Sequence, residues 1–249
     1  MQRKHKYFDL FGIEYEYASI KHEGEHLVLG EYDPKEDFMF RQDCGAKIEL
    51  CESEALNKGY RKNAFSKNWY ENNIGKGDVS KRIKNNLRHF FGNIAKARAV
   101  DEAIMWTCQE QYRGKIAGKG YTQARSLTKH ELTLSEEEKK KLQKRADCFV
   151  SLNAKATNDY RNRWALAYCA NMYMQPLMLG FFEDSGLEVK EELYAVSCLI
   201  QWIFRSRIRD GKEIKLYLPS PRMRELYQGW LKGIDLSLAV EEGVPNEGE

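Results

Sequence analysis

The chain has 249 residues, 42% of them hydrophobic, with 5 Trp, 14 Tyr and 11 Phe, which excludes an intrinsically disordered polymer and suffices for a buried core. No apolar run approaches the roughly 20 residues that cross a bilayer, and the basic start Met1 to Lys6 leads into Tyr-Phe-Asp rather than a signal core, so a cytoplasmic protein with no membrane partner is expected. Net charge is only +3, yet residues 58–98 hold 11 Lys or Arg against Glu71 and Asp78, which puts +9 on that stretch and −6 on the rest; such a block suits a polyanion, or else a solvated face.

Residues 7–51 alternate polar and apolar in short runs broken by Gly12, Gly24, Gly30 and Asp33-Pro34, a period of two that predicts a small antiparallel sheet or a pair of hairpins. Residues 52–79 are Asn-rich and Gly-punctuated and read as a long loop. Ser80 is then a good N-cap for an amphipathic helix burying Ile83, Leu87, Phe90, Phe91 and Ile94 beneath a basic outer face. Together these define a β-rich module with a basic loop and helix over residues 1–101.

From residue 102 strands alternate with helices. Ala103 to Cys108, Cys148 to Leu152 and Ile214 to Leu218 are short, nearly continuous apolar runs, as expected of strands covered on both faces. Between the first two, Ser135-Glu-Glu-Glu138 is a capping box that opens an exposed helix. Asn158 to Met174 is predicted to be a buried helix stopped by Gln175-Pro176, and a further helix from Glu191 to be ended by Gly211. Ser220-Pro221 opens a last helix. The fold class is therefore α/β, a mainly parallel sheet flanked by helices over residues 102–240, with a tail at 241–249 that has nothing to bury.

The six cysteines include no Cys-x-x-Cys pair and read as reduced core thiols. His22, His26, Cys44 and Cys51 are the one conceivable zinc set, the basis of a nuclease alternative, but their spacing is looser than that of zinc motifs and no metal is assigned. No nucleophile with a partnered base stands out.

Two constellations carry chemistry. The first is a set of cations, Lys58, Arg61, Lys62, Lys67, Lys81, Arg82, Lys84 and Arg88, interleaved with Tyr60, Phe65, Trp69, Tyr70, Phe90 and Phe91: cations neutralise phosphates while aromatic faces stack on unpaired bases. Thr157 and Asn158, after a strand, either contact a nucleic-acid backbone or cap the next helix. The second is Gln201-Trp-Ile-Phe-Arg205-Ser-Arg207-Ile-Arg209-Asp-Gly211, where arginines a turn apart reach an anion or simply complement a helix dipole.

That second stretch resembles the arginine motif in the second RecA-like domain of superfamily 2 helicases. Together with Asn153 to Tyr160 and Tyr217 to Arg224 it is similar to helicase-like proteins of bacterial mobile elements, over residues 102–232. The resemblance implies that Gln201, Arg205 and Arg209 act on the γ-phosphate of ATP. The spacing departs from the family pattern, with Phe204 in place of a glycine and Arg207 competing with Arg209 as second finger. No Gly-x-x-x-x-Gly-Lys-Ser/Thr occurs; Gly114 to Gly120 is one residue short and ends in glycine, and Asp101-Glu102 precedes a strand. ATP and Mg²⁺ are thus implied only with a complementing lobe on another chain or segment, and none for this chain alone. A standalone nucleic-acid-binding or regulatory protein of a phage or plasmid is the alternative.

Overall fold

In the computed structural model, which describes residues 18–23, 26–31, 33–122, 129–154, 159–186 and 189–233, the apolar runs assemble into one four-stranded parallel sheet. The strands are β3 (Ile48–Leu50), β4 (Ile104–Cys108), β5 (Ala165–Cys169) and β6 (Ile214–Tyr217), in spatial order β3-β6-β5-β4. Register pairs Ile48 with Ile214, Ala165 with Lys215, and Ile104 through Cys108 with Ala165 through Cys169. Cys148 to Leu152, expected as a full strand, contributes instead an isolated parallel bridge of Phe149 to Trp106 outside β4: Trp106 N donates to Cys148 O and Val150 N to Trp106 O, each at 2.9 Å.

Period-two alternation sends neighbouring residues of each strand to opposite cores. Ile104, Trp106, Ala165, Ala167 and Tyr217 pack against α2 (Lys67–Asn73) and α3 (Val79–His89). Met105, Leu166, Tyr168, Ile214 and Leu216 pack against α6 (Glu191–Ile203) and α7 (Pro221–Leu231). The α/β expectation therefore holds, and residues 48–101, placed in sequence with a separate module, supply an edge strand and one wall of the same core.

Several local expectations are corrected. An antiparallel hairpin does form, β1 (Ala18–Glu23) with β2 (His26–Glu31). The Phe-Met-Phe run at 38–40, however, lies inside α1 (Pro34–Ala46), because Asp33-Pro34 is an N-cap and first-turn proline, Asp33 accepting from Lys35 N at 2.8 Å. The expected helix over Asn158 to Met174 is β5 and its flanks, and Pro176 opens α5 (Pro176–Asp184) instead of stopping a helix. α3 starts at Val79 after Asp78, one residue before the proposed Ser80 cap. α6 ends at Ile203, and Gly211, at φ 67°, closes a separate 3₁₀ turn over Arg207–Asp210. The Ser135 capping box holds, with Ser135 Oγ 2.7 Å from Glu138 Oε2 at the start of α4 (Glu136–Ala146). So does the Ser220 cap of α7, which accepts from Met223 N at 3.4 Å. The expected tail at 241–249 lies outside the described residues.

Candidate nucleic-acid interface and anion pocket

The chain leaves β4 for the outer Cys148–Val150 bridge and returns on the other side to β5, so the topological switch of the sheet lies between the carboxyl ends of β4 and β5. Open parallel sheets commonly take ligands in that crevice. Here it is filled: Tyr70 of α2 donates its hydroxyl to Cys169 O at 2.6 Å and stacks on Tyr112, ring centroids 5.1 Å apart. Burial drives the Tyr70 phenol well above its ordinary value, so it stays a neutral donor. β4 continues into Gln109 and the 3₁₀ turn Glu110–Tyr112 rather than into a glycine-rich turn.

The loop before α2 is pinned across this pole by one side chain. Asn171, two residues past β5 and 1% exposed, donates Nδ2 to Lys62 O at 3.0 Å and Ala64 O at 3.1 Å, while its own N–H reaches Phe65 O at 2.9 Å. Its Oδ1 accepts from Arg222 Nη1 at 3.0 Å, and the same nitrogen reaches Met172 O at 2.8 Å. Arg222 also lies under the Tyr173 ring at 4.2 Å and 3.7 Å from Glu192. Phe65, fully buried, is held at φ 68°, a left-handed conformation that costs a bulky residue on the order of 1–3 kcal/mol. Asn171 and Arg222 were missed as site residues; a buried asparagine just past a strand carries no local pattern to find it by.

This pinning presents the expected cations together. Arg82 of α3 lies 4.5 Å from the Tyr60 ring, and Asn86 donates to Leu56 O at 3.1 Å, joining the loop and helix into one surface. Lys58, Arg61, Lys62, Lys67, Lys81, Arg82 and Arg88 are exposed and Lys84 half-buried. Lys62 meets Glu225 at 3.5 Å, an exposed pair of little energetic weight; Lys58, Arg61, Lys67, Lys81, Lys84 and Arg88 have no carboxylate within ion-pair distance among the described residues. The aromatic part of the expectation is corrected. Tyr60, Phe65, Tyr70, Phe90 and Phe91 are core residues, and Trp69 alone is half-exposed, packed against Phe65 at 4.9 Å. Thr157 and Asn158 lie outside the described residues.

The arginine stretch does not converge as expected. Because α6 ends at Ile203, Arg205 and Arg209 do not share a helix face. Gln201 and Arg205 line a cavity of about 300 Å³ with Leu152, Asn153, Met172 and Cys198. Arg205 Nη2 donates to Ala154 O, while Nη1 is buried and, among the described residues, has no hydrogen-bond partner and no carboxylate in an ion pair with it. Burial pulls the Arg205 guanidinium below its ordinary value, with Tyr160, Tyr168 and Cys198 as the nearest titratable groups. Gln201 donates to Ser197 Oγ at 3.1 Å. Arg207 instead faces a second cavity of about 420 Å³ at the amino ends of β3 and β6, donating to Glu213 O over the Trp164 ring. Arg209 is held by an interaction of its own, and Asp210 pairs with Arg161. Among the described residues no three metal-ligating side chains gather, and the His22 and His26 side chains are not among them. No helix there is long and apolar enough to cross a membrane.

Comparison with known proteins fits this geometry. Residues 42–231 match the family described as the YonV C-terminal Rossmann-like domain. The chain is 31% identical over 226 residues to the SPbeta prophage-derived uncharacterized protein YonV of Bacillus subtilis (strain 168), covering 91% of this chain and 48% of that protein. It thus spans about half the length of that relative. No solved structure matches. The match covers most of the sequence and includes all four strands of the parallel sheet, so the chain belongs to the YonV C-terminal Rossmann-like domain family.

Proposed function

We propose that this domain binds nucleic acid through the face formed by the loop 58–67 and α3. The reading is carried by one observation: Lys58, Arg61, Lys67, Lys81, Lys84 and Arg88 occupy adjoining elements with no carboxylate within ion-pair distance among the described residues. Uncompensated cations attract a polyanion by releasing its condensed counterions. Since the aromatic rings point inward, binding runs through phosphates and tolerates sequence. Fluorescence anisotropy with labelled single-stranded DNA, single-stranded RNA and duplex tests it. The double charge reversal Lys81→Glu with Lys84→Glu is expected to weaken binding at least tenfold with an unchanged circular dichroism spectrum. Equal affinity of wild type and variant would refute the assignment.

A second reading keeps the helicase resemblance, and Arg205 supports it. A guanidinium with no acid paired to it among the described residues, lining a cavity beside Gln201, is suited to meet the γ-phosphate of ATP presented with Mg²⁺ by a lobe that carries a phosphate-binding loop. On this reading Arg205 is the finger and Gln201 its neighbour, and the domain belongs to a motor of a mobile element. Arg205→Ala, assayed with such a lobe, is expected to abolish ATP hydrolysis and leave nucleic-acid binding intact. Loss of both together would count against it.

A further inference from the structure

α5 is an apolar helix that the rest of the fold leaves uncovered. Its sequence, Pro-Leu-Met-Leu-Gly-Phe-Phe-Glu-Asp, contains no buried residue, with Leu177 89%, Phe181 52% and Met178 50% exposed. Met174 N donates to Glu191 Oε1 at 3.0 Å, tying the start of α5 to the start of α6, where Leu193 and Tyr194 are also exposed. With Tyr173, 41% exposed, these residues put more large apolar side chains in water along one stretch of chain than scattered surface residues explain.

The charges and the backbone of α5 say what covers it. Glu183 and Asp184 sit in its last turn, against the negative end of the helix dipole, while the first turn has no acid and Gln175 gives no side-chain cap. Alone, this arrangement is the wrong way round. Two such helices packed antiparallel across a twofold axis correct it, each setting its acids against the positive end of the other's dipole. Gly180 lies in the middle, and a Cβ placed there meets nothing within 4 Å, which leaves room for a second helix backbone to approach. We infer that α5 forms an isologous, antiparallel contact between two copies of this chain.

Sedimentation velocity of the full chain across the micromolar range tests this. Twice the chain mass is expected for the wild type. Leu177→Asp and Phe181→Asp, both at exposed positions, are each expected to raise the dimer dissociation constant at least tenfold with an unchanged circular dichroism spectrum. The double reversal Glu183→Lys with Asp184→Lys, outside the apolar patch, is expected to weaken the dimer by a similar factor and decides the matter if an apolar-site variant fails to fold. A wild type that stays monomeric, including one whose α5 is covered by another part of its own chain, overturns the inference. So does a dimer that both aspartate variants and the double reversal leave intact.

Discussion

Two arginines show how far a partner decides what burial costs. Arg222 is 7% exposed and donates to Asn171 Oδ1 and Met172 O, with Glu192 at 3.7 Å, so removing it strands buried acceptors and frees the loop that Asn171 pins. Arg222→Ala is expected to lower the unfolding free energy by about 3 kcal/mol, read from urea denaturation. Arg205 carries its charge into the protein with one carbonyl and, among the described residues, no acid paired to it. Arg205→Met, similar in length and uncharged, is expected to leave stability unchanged or raise it by up to about 1 kcal/mol, because it removes a partly buried charge that no acid among the described residues offsets. The thiols behave differently again. Burial pushes Cys44 and Cys108 up to about 12 and Cys148 up to about 11, from an ordinary value of 9. A thiol whose folded value exceeds its unfolded one stabilises the fold fully below pH 9, and that contribution drains away as pH rises toward the folded values. Thermal melts are therefore expected to fall progressively between about pH 9 and 11, and a flat profile would contradict the burial of these groups.

Among the elements, those whose local chemistry agrees with their environment were legible. β4 and β6 are nearly continuous apolar runs, interrupted by Thr107 and Lys215, α3 has cations at 81, 84 and 88 opposite Ile83 and Leu87, and the starts of α4 and α7 are written in Ser135 to Glu138 and Ser220-Pro221. β5 was not legible: Ala-Leu-Ala-Tyr-Cys is rich in helix formers, and only pairing between β4 and β6 makes it a strand. α1 was missed because Asp33-Pro34 serves equally as a turn or as a cap with a first-turn proline. A cap contributes through its hydrogen bond, and this distinguishes two positions that sequence alone treats alike. Ser220 Oγ accepts from Met223 N, whereas the Asp78 side chain makes no cap hydrogen bond to α3. Ser220→Ala is expected to cost about 1 kcal/mol and Asp78→Ala within about 0.3 kcal/mol of nothing, measured as shifts in the urea midpoint.

At the scale of the molecule, the charge asymmetry of +9 over residues 58–98 against −6 elsewhere was plain in the sequence, and the face it builds was partly so. The buried Asn171–Arg222 pair, in which Asn171 bonds Lys62 across 109 positions and Arg222 across 51, has no short-range signature and appeared only with the fold. Nor could spacing say that Tyr60, Phe65 and Tyr70 turn inward, since aromatic residues beside cations suit a core as well as a base. On the proposed nucleic-acid reading, that inward turn sets the form of binding. With six uncompensated cations on phosphates and little stacking, the logarithm of affinity should fall against the logarithm of salt with a slope near −5 for duplex and near −4 for single strands. Neutralising two of them, Lys81→Gln with Lys84→Gln, should flatten the duplex slope by about 2 whatever the base sequence. Stacking-dominated binding would instead give a shallow slope that these substitutions leave alone and that Trp69→Ala removes, so titrations at several salt concentrations separate phosphate neutralisation from base recognition.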